Sequence, residues 1–157
     1  MQKKLLTIIL LTALTYSCSK DLANKDKNQN NTQPTQAQAP ANPNELVRQA
    51  IYFDTNSHAL SSQNSELVKQ ALSSYLETNK KLVIVSEGHC DERGSSKYNF
   101  QLGKKRALAV KKFLVKNLKV KSSRISIVSY GENKPANLGH DENAWSKNRR
   151  VEIVVLK

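Results

Sequence analysis

Apolar positions between residues 49 and 76 follow first a strand pattern and then a helix pattern. The run from Gln49 to Asp54 is short, apolar and rich in residues typical of strands. A polar loop at 55–58 separates it from apolar residues that recur at helical spacing. These residues predict one apolar face of an amphipathic helix: Leu67, Val68, Ala71, Leu72, Tyr75 and Leu76. Its candidate N-caps are Ser61, Ser62 and Asn64.

The rest of the chain repeats this alternation. Residues 81–88 form a strand that is apolar on both faces in its middle, which predicts a central strand. An amphipathic helix is predicted over 97–117, and strands over 125–130 and 151–156, with a loop at 131–150. The order β-α-β-α-β-loop-β predicts an α+β domain over residues 45–157. In it, helices pack on one face of a four-stranded sheet whose strand order the pattern leaves open.

The first 17 residues have a different character. Lys3 and Lys4 precede a short apolar run over residues 5–14, which is too short to span a bilayer. A positive start followed by a short apolar run is typical of a secretory signal. Residues 1–17 are therefore predicted to be a signal peptide.

Cys18 follows this run and resembles the cysteine of a bacterial lipobox, which is acylated and becomes the first mature residue. The match is loose, because leucine usually stands three residues before that cysteine, where this chain has Thr15 and places Leu14 one step earlier. Ser19 is not the aspartate that retains such lipoproteins in the inner membrane, so the resemblance points to the outer membrane. A Cys18–Cys90 disulfide is the competing hypothesis, since these are the only two cysteines.

Residues 18–44 are predicted to be a disordered tether. They are rich in Asn, Gln, Lys, Ala, Thr and Pro, and Leu22 is their only large apolar residue. We favour lipidation of Cys18, because a disordered segment of this kind would serve as a tether between a lipid anchor and the folded domain.

The whole chain carries a formal net charge of +12, which suggests an anionic partner. Nine of its basic residues lie between Lys104 and Arg124 with no acidic residue among them. We interpret them mainly as a solvated helix face, with attraction to the wall or to lipid head groups as the alternative.

Residues 89–92, His-Cys-Asp-Glu, are four consecutive side chains that could each be a metal ligand or a catalytic group. Neighbouring side chains on an extended strand point to opposite faces, so they do not converge on one metal ion. A second pair of ligands at zinc spacing is missing from the sequence. The same geometry discourages a Cys90–His89 nucleophile. Neither a metal nor a cofactor is therefore expected.

Asp91 and Arg106 offer a different chemistry. Asp91 stands just past a strand end, and Arg106 lies about two turns into the following helix. A carboxylate and a guanidinium on one pocket can hold a zwitterion, since the first takes an ammonium and the second a carboxylate. A structural Asp91–Arg106 ion pair explains the spacing equally well.

Three long motifs carry a family resemblance. The segments IYFDTNS, VSEGHCDERGSSKYNFQLGKKRALAVKKFL and ISIVSYGENKPANLGHDENAWSKNRRVEIVV occur in this order and resemble the OmpA-like peptidoglycan-binding domain over Ile51 to Leu156. The resemblance implies a mixed sheet of four strands with helices against it. It also implies that Asp91 and Arg106 clamp the diaminopimelate of the wall's stem peptide. It further implies that Phe53 and Asp54 line the groove and that Asn99 and Leu102 support or line it. Asn148 is implied as a loop-orienting or supporting residue.

The resemblance implies a binding protein without catalysis. The expected protein is an outer-membrane lipoprotein whose periplasmic domain holds peptidoglycan and, as in the lipoprotein members of the family, joins the Tol–Pal system and binds TolB. Cys90 departs from the usual Ala or Thr and puts an oxidisable thiol beside the site. One rival is a wall hydrolase using Glu87, His89 or Cys90. The other is an electrostatic membrane or nucleic-acid binder, although export and the lack of aromatic residues among the lysines disfavour nucleic acid.

Overall fold

The computed structural model describes residues 42–157. The predicted signal peptide (1–17), Cys18 and the tether up to residue 41 lie outside the described residues. The described residues form four strands and three helices, with one 3-10 turn at Ser122–Arg124. Their bounds are β1 Glu45–Tyr52, α1 Ser62–Thr78, β2 Val83–His89, α2 Ser96–Asn117, β3 Ile125–Gly131, α3 Glu142–Asn148 and β4 Arg150–Leu156.

The strands form one mixed sheet in the order β1-β4-β2-β3. Strand β4 lies between β1 and β2 and runs antiparallel to both, whereas β2 and β3 are parallel. This result confirms the predicted α+β class and four-stranded sheet. It also explains the apolar middle of β2, which has a strand on either side.

The register defines two ends of the sheet. Tyr52 pairs with Arg150, and His89 pairs with Gly131, so these residues mark one end, called here the site end. Val83 pairs with Leu156 at the opposite end, where Glu45 begins β1 and Ile125 begins β3. We call this the entry end, because the chain enters the domain there.

Helices α1 and α2 cover one face of the sheet, as the sequence predicted. Val68 and Leu72 of α1 and Val110 of α2 are fully buried against strand residues such as Ile84 and Ile153. Each fully buried aliphatic side chain contributes about 2 kcal/mol through its removal from water. Among the described residues, the buried cluster extends from Ile51 to Val155 and includes residues of all four strands and both long helices.

Both long helices begin with a serine cap. The hydroxyl of Ser61 accepts from the backbone N–H of Asn64 at 3.1 Å, and the hydroxyl of Ser95 accepts from that of Tyr98 at 3.3 Å. Such caps satisfy backbone donors that have no partner within the helix. Helix α2 therefore starts directly after the 90–95 loop, and this fixes how that loop leaves the sheet.

Two glycines let α2 approach β2 closely. A Cβ atom added to Gly88 would lie 1.9 Å from the carbonyl oxygen of Gly103. A Cβ atom added to Gly103 would lie 2.5 Å from the hydroxyl of Ser129. Only glycine allows this contact between backbones, which brings Arg106, three residues further along α2, under the end of β2.

The prediction of a loop throughout 131–150 was wrong for residues 142–148, which form α3. The carboxylate of Asp141 caps this helix by accepting from the backbone N–H of Ala144 at 2.8 Å. Only Ala144 and Asn148 are buried in it, so it carries too few apolar residues for a helical period to be visible in the sequence.

Within residues 42–157, even the longest helix is too polar or too short to cross a bilayer.

Candidate functional site

Asp91 lies at the site end, directly after β2, and is 6% exposed. Its carboxylate accepts from Nη2 of Arg93 at 2.8 Å and from the Arg93 backbone N–H at 3.1 Å. Nη1 of Arg149 donates to the same carboxylate at 3.3 Å. Two guanidinium groups therefore hold this carboxylate, one from its own loop and one from Arg149, which lies between α3 and β4.

These contacts keep Asp91 ionised. Burial is the largest influence and by itself raises the pKa, because it disfavours charge. The hydrogen bonds from Arg93 and Arg149 outweigh it and hold the pKa of the Asp91 carboxyl below its usual value. Asp91 is therefore a carboxylate at neutral pH, with its charge matched by Arg93 and Arg149.

Arg106 is completely buried, and its guanidinium is bonded to the backbone. Nε donates to the carbonyl of Ser57 at 2.8 Å, Nη1 to that of His89 at 2.9 Å and Nη2 to that of Asp54 at 3.0 Å. A weaker contact joins Nη1 to the Cys90 sulfur at 3.5 Å. Arg106 thus ties the loop after β1 to the end of β2 from beneath.

The structure does not pair Asp91 with Arg106. Among the described residues, the ion pairs of Asp91 are formed with Arg93 and Arg149. Burial lowers the pKa of Arg106, and the nearby Cys90 and Asp91 side chains partly oppose that change. The two residues therefore share one site, but the simple structural ion pair left open by the sequence is not formed.

Phe53 and Asp54 lie at the end of β1. Phe53 is buried in the core, and the Arg106 guanidinium carbon is 5.4 Å from the centre of its ring. The Phe53 carbonyl accepts from Nε of Arg149 at 3.1 Å. The Asp54 side chain is exposed, and its carbonyl is one of the three acceptors of Arg106. Of the two, Asp54 is the one whose side chain faces solvent.

Asn99 supports the loop that carries Asp91. Its side-chain nitrogen donates to the carbonyls of Asp91 and Arg93, both at 3.2 Å, and the residue is 2% exposed. Leu102, one turn later on α2, is also buried. In this structure, Asn99 positions Asp91 from inside the protein, and Leu102 packs in the interior.

Asn148 orients the loop before α3. Its side-chain oxygen accepts from the backbone N–H groups of Ala136 and Asn137, at 2.7 and 2.9 Å. Its side-chain nitrogen donates to the Asn137 carbonyl at 2.7 Å. These hydrogen bonds of the buried Asn148 side chain are thus all made to one turn of the 131–141 segment.

Sequence reasoning missed Arg149 as a partner of Asp91. Besides Asp91, Arg149 bonds the carboxylate of Glu142 on α3 at 2.7 Å. The Asn-Arg-Arg motif pointed to this segment, since Arg149 directly follows Asn148. The motif carries no information on the strand order. That order places the start of β4 between the end of β1 and the end of β2.

A second set of missed residues forms a polar rim around Asp91. The guanidinium carbon of Arg93 lies 4.2 Å from the ring centre of Trp145 on α3. The indole N–H of Trp145 donates to Glu92 at 2.9 Å, and His140 contacts the same carboxylate at 2.8 Å. Both contacts, led by the Trp145 hydrogen bond, lower the pKa of Glu92. The rim joins the 90–95 loop to the segment around α3.

His89 and Cys90 do not form a catalytic pair. Nδ1 of His89 donates to the carbonyl of Lys134 at 3.1 Å, whereas the Cys90 thiol contacts the Asn99 carbonyl at 3.2 Å. Burial raises the pKa of the Cys90 thiol, which opposes formation of the reactive thiolate. Cys90 is a free, buried thiol, and Cys18, its proposed disulfide partner, lies outside the described residues. These contacts do not favour a hydrolase.

The structure gathers three other possible metal ligands on the open face of the sheet. Side-chain atoms of Glu87, His89 and Glu152 lie within 4.8 Å of one another. Arg48 bonds both carboxylates, at 3.0 Å to Glu87, and Arg150 bonds Glu152 at 2.7 Å. The charge that would attract a metal ion is thus already matched by two arginines.

Comparisons with known proteins agree with this architecture. Residues 52–149 match the OmpA family, so the chain belongs to that family. It is 42% identical to the peptidoglycan-associated lipoprotein of Pasteurella multocida over 101 residues, which cover 64% of this chain and 66% of that protein. It is 36% identical to the protein of the same name from Buchnera aphidicola, and the match covers 96% of this chain and 95% of that one.

Solved structures show the same fold. The peptidoglycan-associated lipoprotein of Burkholderia pseudomallei has a TM-score of 0.63 and 40% identity, over 68% of this chain and 88% of that chain. The C-terminal domain of Helicobacter pylori MotB has a TM-score of 0.62 at 23% identity, which supports the fold alone. By family and by its relatives, this is a binding protein and not an enzyme.

Proposed function

We propose that this protein is an outer-membrane lipoprotein that binds peptidoglycan non-covalently and so ties the membrane to the wall. Its relatives are named peptidoglycan-associated lipoproteins, and the name combines a wall ligand with a lipid anchor. Residues 1–17 would be its signal peptide, Cys18 its lipidation site and residues 18–44 its tether. The domain from residue 45 would face the periplasm.

The observation that carries the wall-binding proposal is the ionised Asp91 carboxylate at the site end, in the same site as the buried Arg106 guanidinium. Asn99 holds the backbone of Asp91 in place, and Arg106 is bonded to the nearby end of β2. The side-chain end of diaminopimelate carries an ammonium and a carboxylate. Asp91 would bind the ammonium, and a guanidinium would bind the carboxylate as a two-pronged donor.

The clamp requires two rearrangements. Arg93, whose side chain is 39% exposed, would leave the Asp91 carboxylate to make room for the ligand ammonium. The loop at 54–57 would release Arg106, because the carbonyls of Asp54 and Ser57 cover its guanidinium. Arg93 itself is the exposed alternative donor for the ligand carboxylate. Exposed Asp54 would line the groove, Phe53 and Leu102 would form its apolar base, and Asn148 would orient its far wall.

The Tol–Pal assembly and TolB are proposed partners through family membership. The polar rim formed by Glu92, Arg93, His140 and Trp145 surrounds Asp91 and is exposed enough to contact a protein. A partner on this rim would cover the same face as the stem peptide. Wall and TolB would then compete for the domain.

Calorimetric titration of residues 42–157 with muramyl peptides tests the wall proposal. Stem peptides with diaminopimelate or lysine at the third position are compared, since lysine keeps the ammonium and lacks the side-chain carboxylate. We expect binding of the diaminopimelate peptide and at least tenfold weaker binding of the lysine peptide. Asp91→Asn should abolish binding, whereas the exposed Lys105→Ala should leave it unchanged.

Arg93→Ala separates the two candidate donors. If Arg106 holds the ligand carboxylate, removing the competing Arg93 should preserve or tighten binding. If Arg93 holds it, the same change should weaken binding about as much as replacing diaminopimelate by lysine does. Equal affinity for both peptides, or none for either, would refute the clamp.

A further inference from the structure

The entry end of the domain carries basic residues from three separate segments. We call this set the basic end, and it consists of Lys80, Lys81, Lys116, Lys119, Lys121 and Arg124. Lys80 follows α1, Lys119 and Lys121 follow α2, and together with Arg124 they line one shared depression in the surface. The fold therefore concentrates charges that the sequence distributes over 45 positions.

Ion pairing does not account for these charges. Among the described residues, none of the six forms a salt bridge, and Glu77 is the only acidic residue lining the depression. At the site end, by contrast, the acidic residues Asp91 and Glu142 are paired with Arg93 and Arg149. The entry end therefore carries a concentration of positive charge that is not matched by acidic partners among the described residues.

Helix dipoles explain little of this pattern. Both long helices end at the entry end, where their free carbonyls attract cations. However, α1 has no basic residue in its last turn, and α2 has only Lys116. Arg124 is explained locally, since it donates to the carbonyls of Leu82 and Asn79 at 2.8 and 3.3 Å. Among the described residues, the side chains of Lys80, Lys119 and Lys121 make no hydrogen bonds comparable to those of Arg124.

Lys119 is held in a conformation that favours glycine. Its φ is 55°, and the next N–H, of Val120, bonds back to the Leu114 carbonyl at 3.2 Å to close the end of α2. Glycine is the usual residue at this position of a helix end, because other side chains cost stability there. Lys119 is exposed, so its side chain fills no space in the core that would offset this cost.

We infer that the basic end docks on the anionic phospholipid head groups of the membrane in which the chain is anchored. This inference rests on the proposed lipid anchor. The chain enters the domain at Glu45, and the carbonyl of Asn44 accepts from the backbone N–H of Lys157 at 3.0 Å, so an upstream anchor is attached at this end. Clustered lysines near a membrane are attracted to anionic lipids within about a Debye length of ~8 Å.

Docking would orient the domain. The basic end would face the membrane, and the opposite site end, with Asp91, would face away from it towards the wall. Docked and extended states would then interconvert, since contact with lipid is electrostatic and reversible. If the stem peptides of the wall lie too far from the membrane for the docked domain to contact them, binding to them would favour the extended state.

Vesicle flotation of residues 42–157 tests the inference without the acyl anchor. The probes are vesicles of phosphatidylglycerol with phosphatidylethanolamine, compared with pure phosphatidylcholine, at low and high salt. We expect binding only to the anionic vesicles and loss of binding at high salt. The charge reversal Lys80→Glu, Lys119→Glu, Lys121→Glu should weaken binding at least tenfold.

A matched control separates a specific surface from net charge. Lys97→Glu, Lys104→Glu, Lys105→Glu makes the same change in net charge on exposed positions of the first half of α2. Equal weakening by both triple variants, or no binding of the unaltered domain to anionic vesicles, would overturn the inference. So would loss of binding to purified sacculi, with vesicle binding retained, in the Lys80, Lys119, Lys121 variant, because the occupant would then be the wall.

The result is independent of the stem-peptide experiment. The Lys80, Lys119, Lys121 variant should keep its affinity for the muramyl peptide, and Asp91→Asn should keep its affinity for vesicles. Failure of the wall proposal and failure of the membrane inference are therefore seen in different variants.

Discussion

The carboxylate of Asp91 lies 3.3 Å from Nη1 of Arg149, a residue that follows it by 58 positions. This contact joins the loop after β2 to the start of β4, with both side chains largely buried. Arg149 also reaches the Phe53 carbonyl at 3.1 Å. One guanidinium thus connects three chain segments around the proposed binding carboxylate, and this arrangement links binding to stability.

Replacing Asp91 by Asn should lower the free energy of unfolding by about 2 kcal/mol at neutral pH, because the carboxylate hydrogen bonds to two guanidinium groups are weakened. The pKa of Asp91 is lower when folded than when unfolded, so its stabilisation is present above the unfolded pKa of about 4 and is lost as the pH falls through the folded pKa. Urea unfolding at several pH values should show the two proteins converging in acid. Asp54→Asn, at an exposed site, should change stability by less than about 0.5 kcal/mol. A constant difference down to low pH would contradict this account.

Replacing Arg106 by Ala should destabilise the domain by about 3 to 5 kcal/mol, since three carbonyls around the buried guanidinium lose a charged donor. Arg106→Lys should recover only a small part, because one ammonium cannot reach three acceptors in different directions. Denaturant unfolding measures both, with exposed Lys105→Ala as the control. A loss below about 1 kcal/mol would mean that the guanidinium is not structural. Loss of ligand affinity in Arg106→Ala is interpretable only after this measurement.

Gly88→Ala should destabilise the domain by about 3 kcal/mol or more, because the new methyl group would overlap the backbone of Gly103 and force α2 away from β2. Thermal unfolding should show a clearly lower Tm. Gly139→Ala is the matched control, since its nearest neighbour is a side-chain methyl group of Ala144 at 3.1 Å in an exposed loop. Equal stability of the two variants would argue against the close helix-strand contact.

Protonation of His89 should destabilise the domain. Burial, helped by the nearby charge of Arg150, lowers the pKa of His89 to about 4. Unfolded histidine titrates near about 6.5, so between these values the unfolded chain binds more protons and stability falls as the pH decreases. The loss should approach about 3 kcal/mol near pH 4.

His89→Asn provides the comparison, because its amide nitrogen can replace Nδ1 as the donor to the Lys134 carbonyl. Its stability should depend less on pH between about 6.5 and 4 than that of the unaltered protein. Parallel curves for the two proteins over this range would show that His89 is not buried in its neutral form.

The Cys90 thiol should react slowly in the folded protein. It is 3% exposed, and burial raises its pKa, so little thiolate is present and reagents have poor access. Labelling of residues 42–157 with a thiol reagent at pH 8 should be at least a hundredfold slower than in denaturant. Rapid labelling of the native domain would instead make Cys90 an oxidisable group at the site.

Much of the fold was readable from periodic apolar positions. The faces of α1 and α2 and the apolar middle of β2 predicted elements whose bounds the structure changes by only a few residues. Strand β1 is the exception, since it starts at Glu45 and ends at Tyr52, four residues earlier and two residues earlier than predicted. Its first half has a mixed pattern, because Arg48 on the open face takes part in a charge network with Glu45, Glu87 and Glu152.

The sequence alone determined the four strands, the two long helices, the fold class and the family, because apolar periodicity and long motifs are local properties of the chain. Only the tertiary structure decided which charges meet. Asp91 pairs with Arg149 because the sheet order makes β4 a neighbour of β2, and Arg106 bonds to backbone carbonyls that have no signature in a sequence. The concentration of basic residues at the entry end likewise arises only when the ends of the two long helices meet at that end of the sheet.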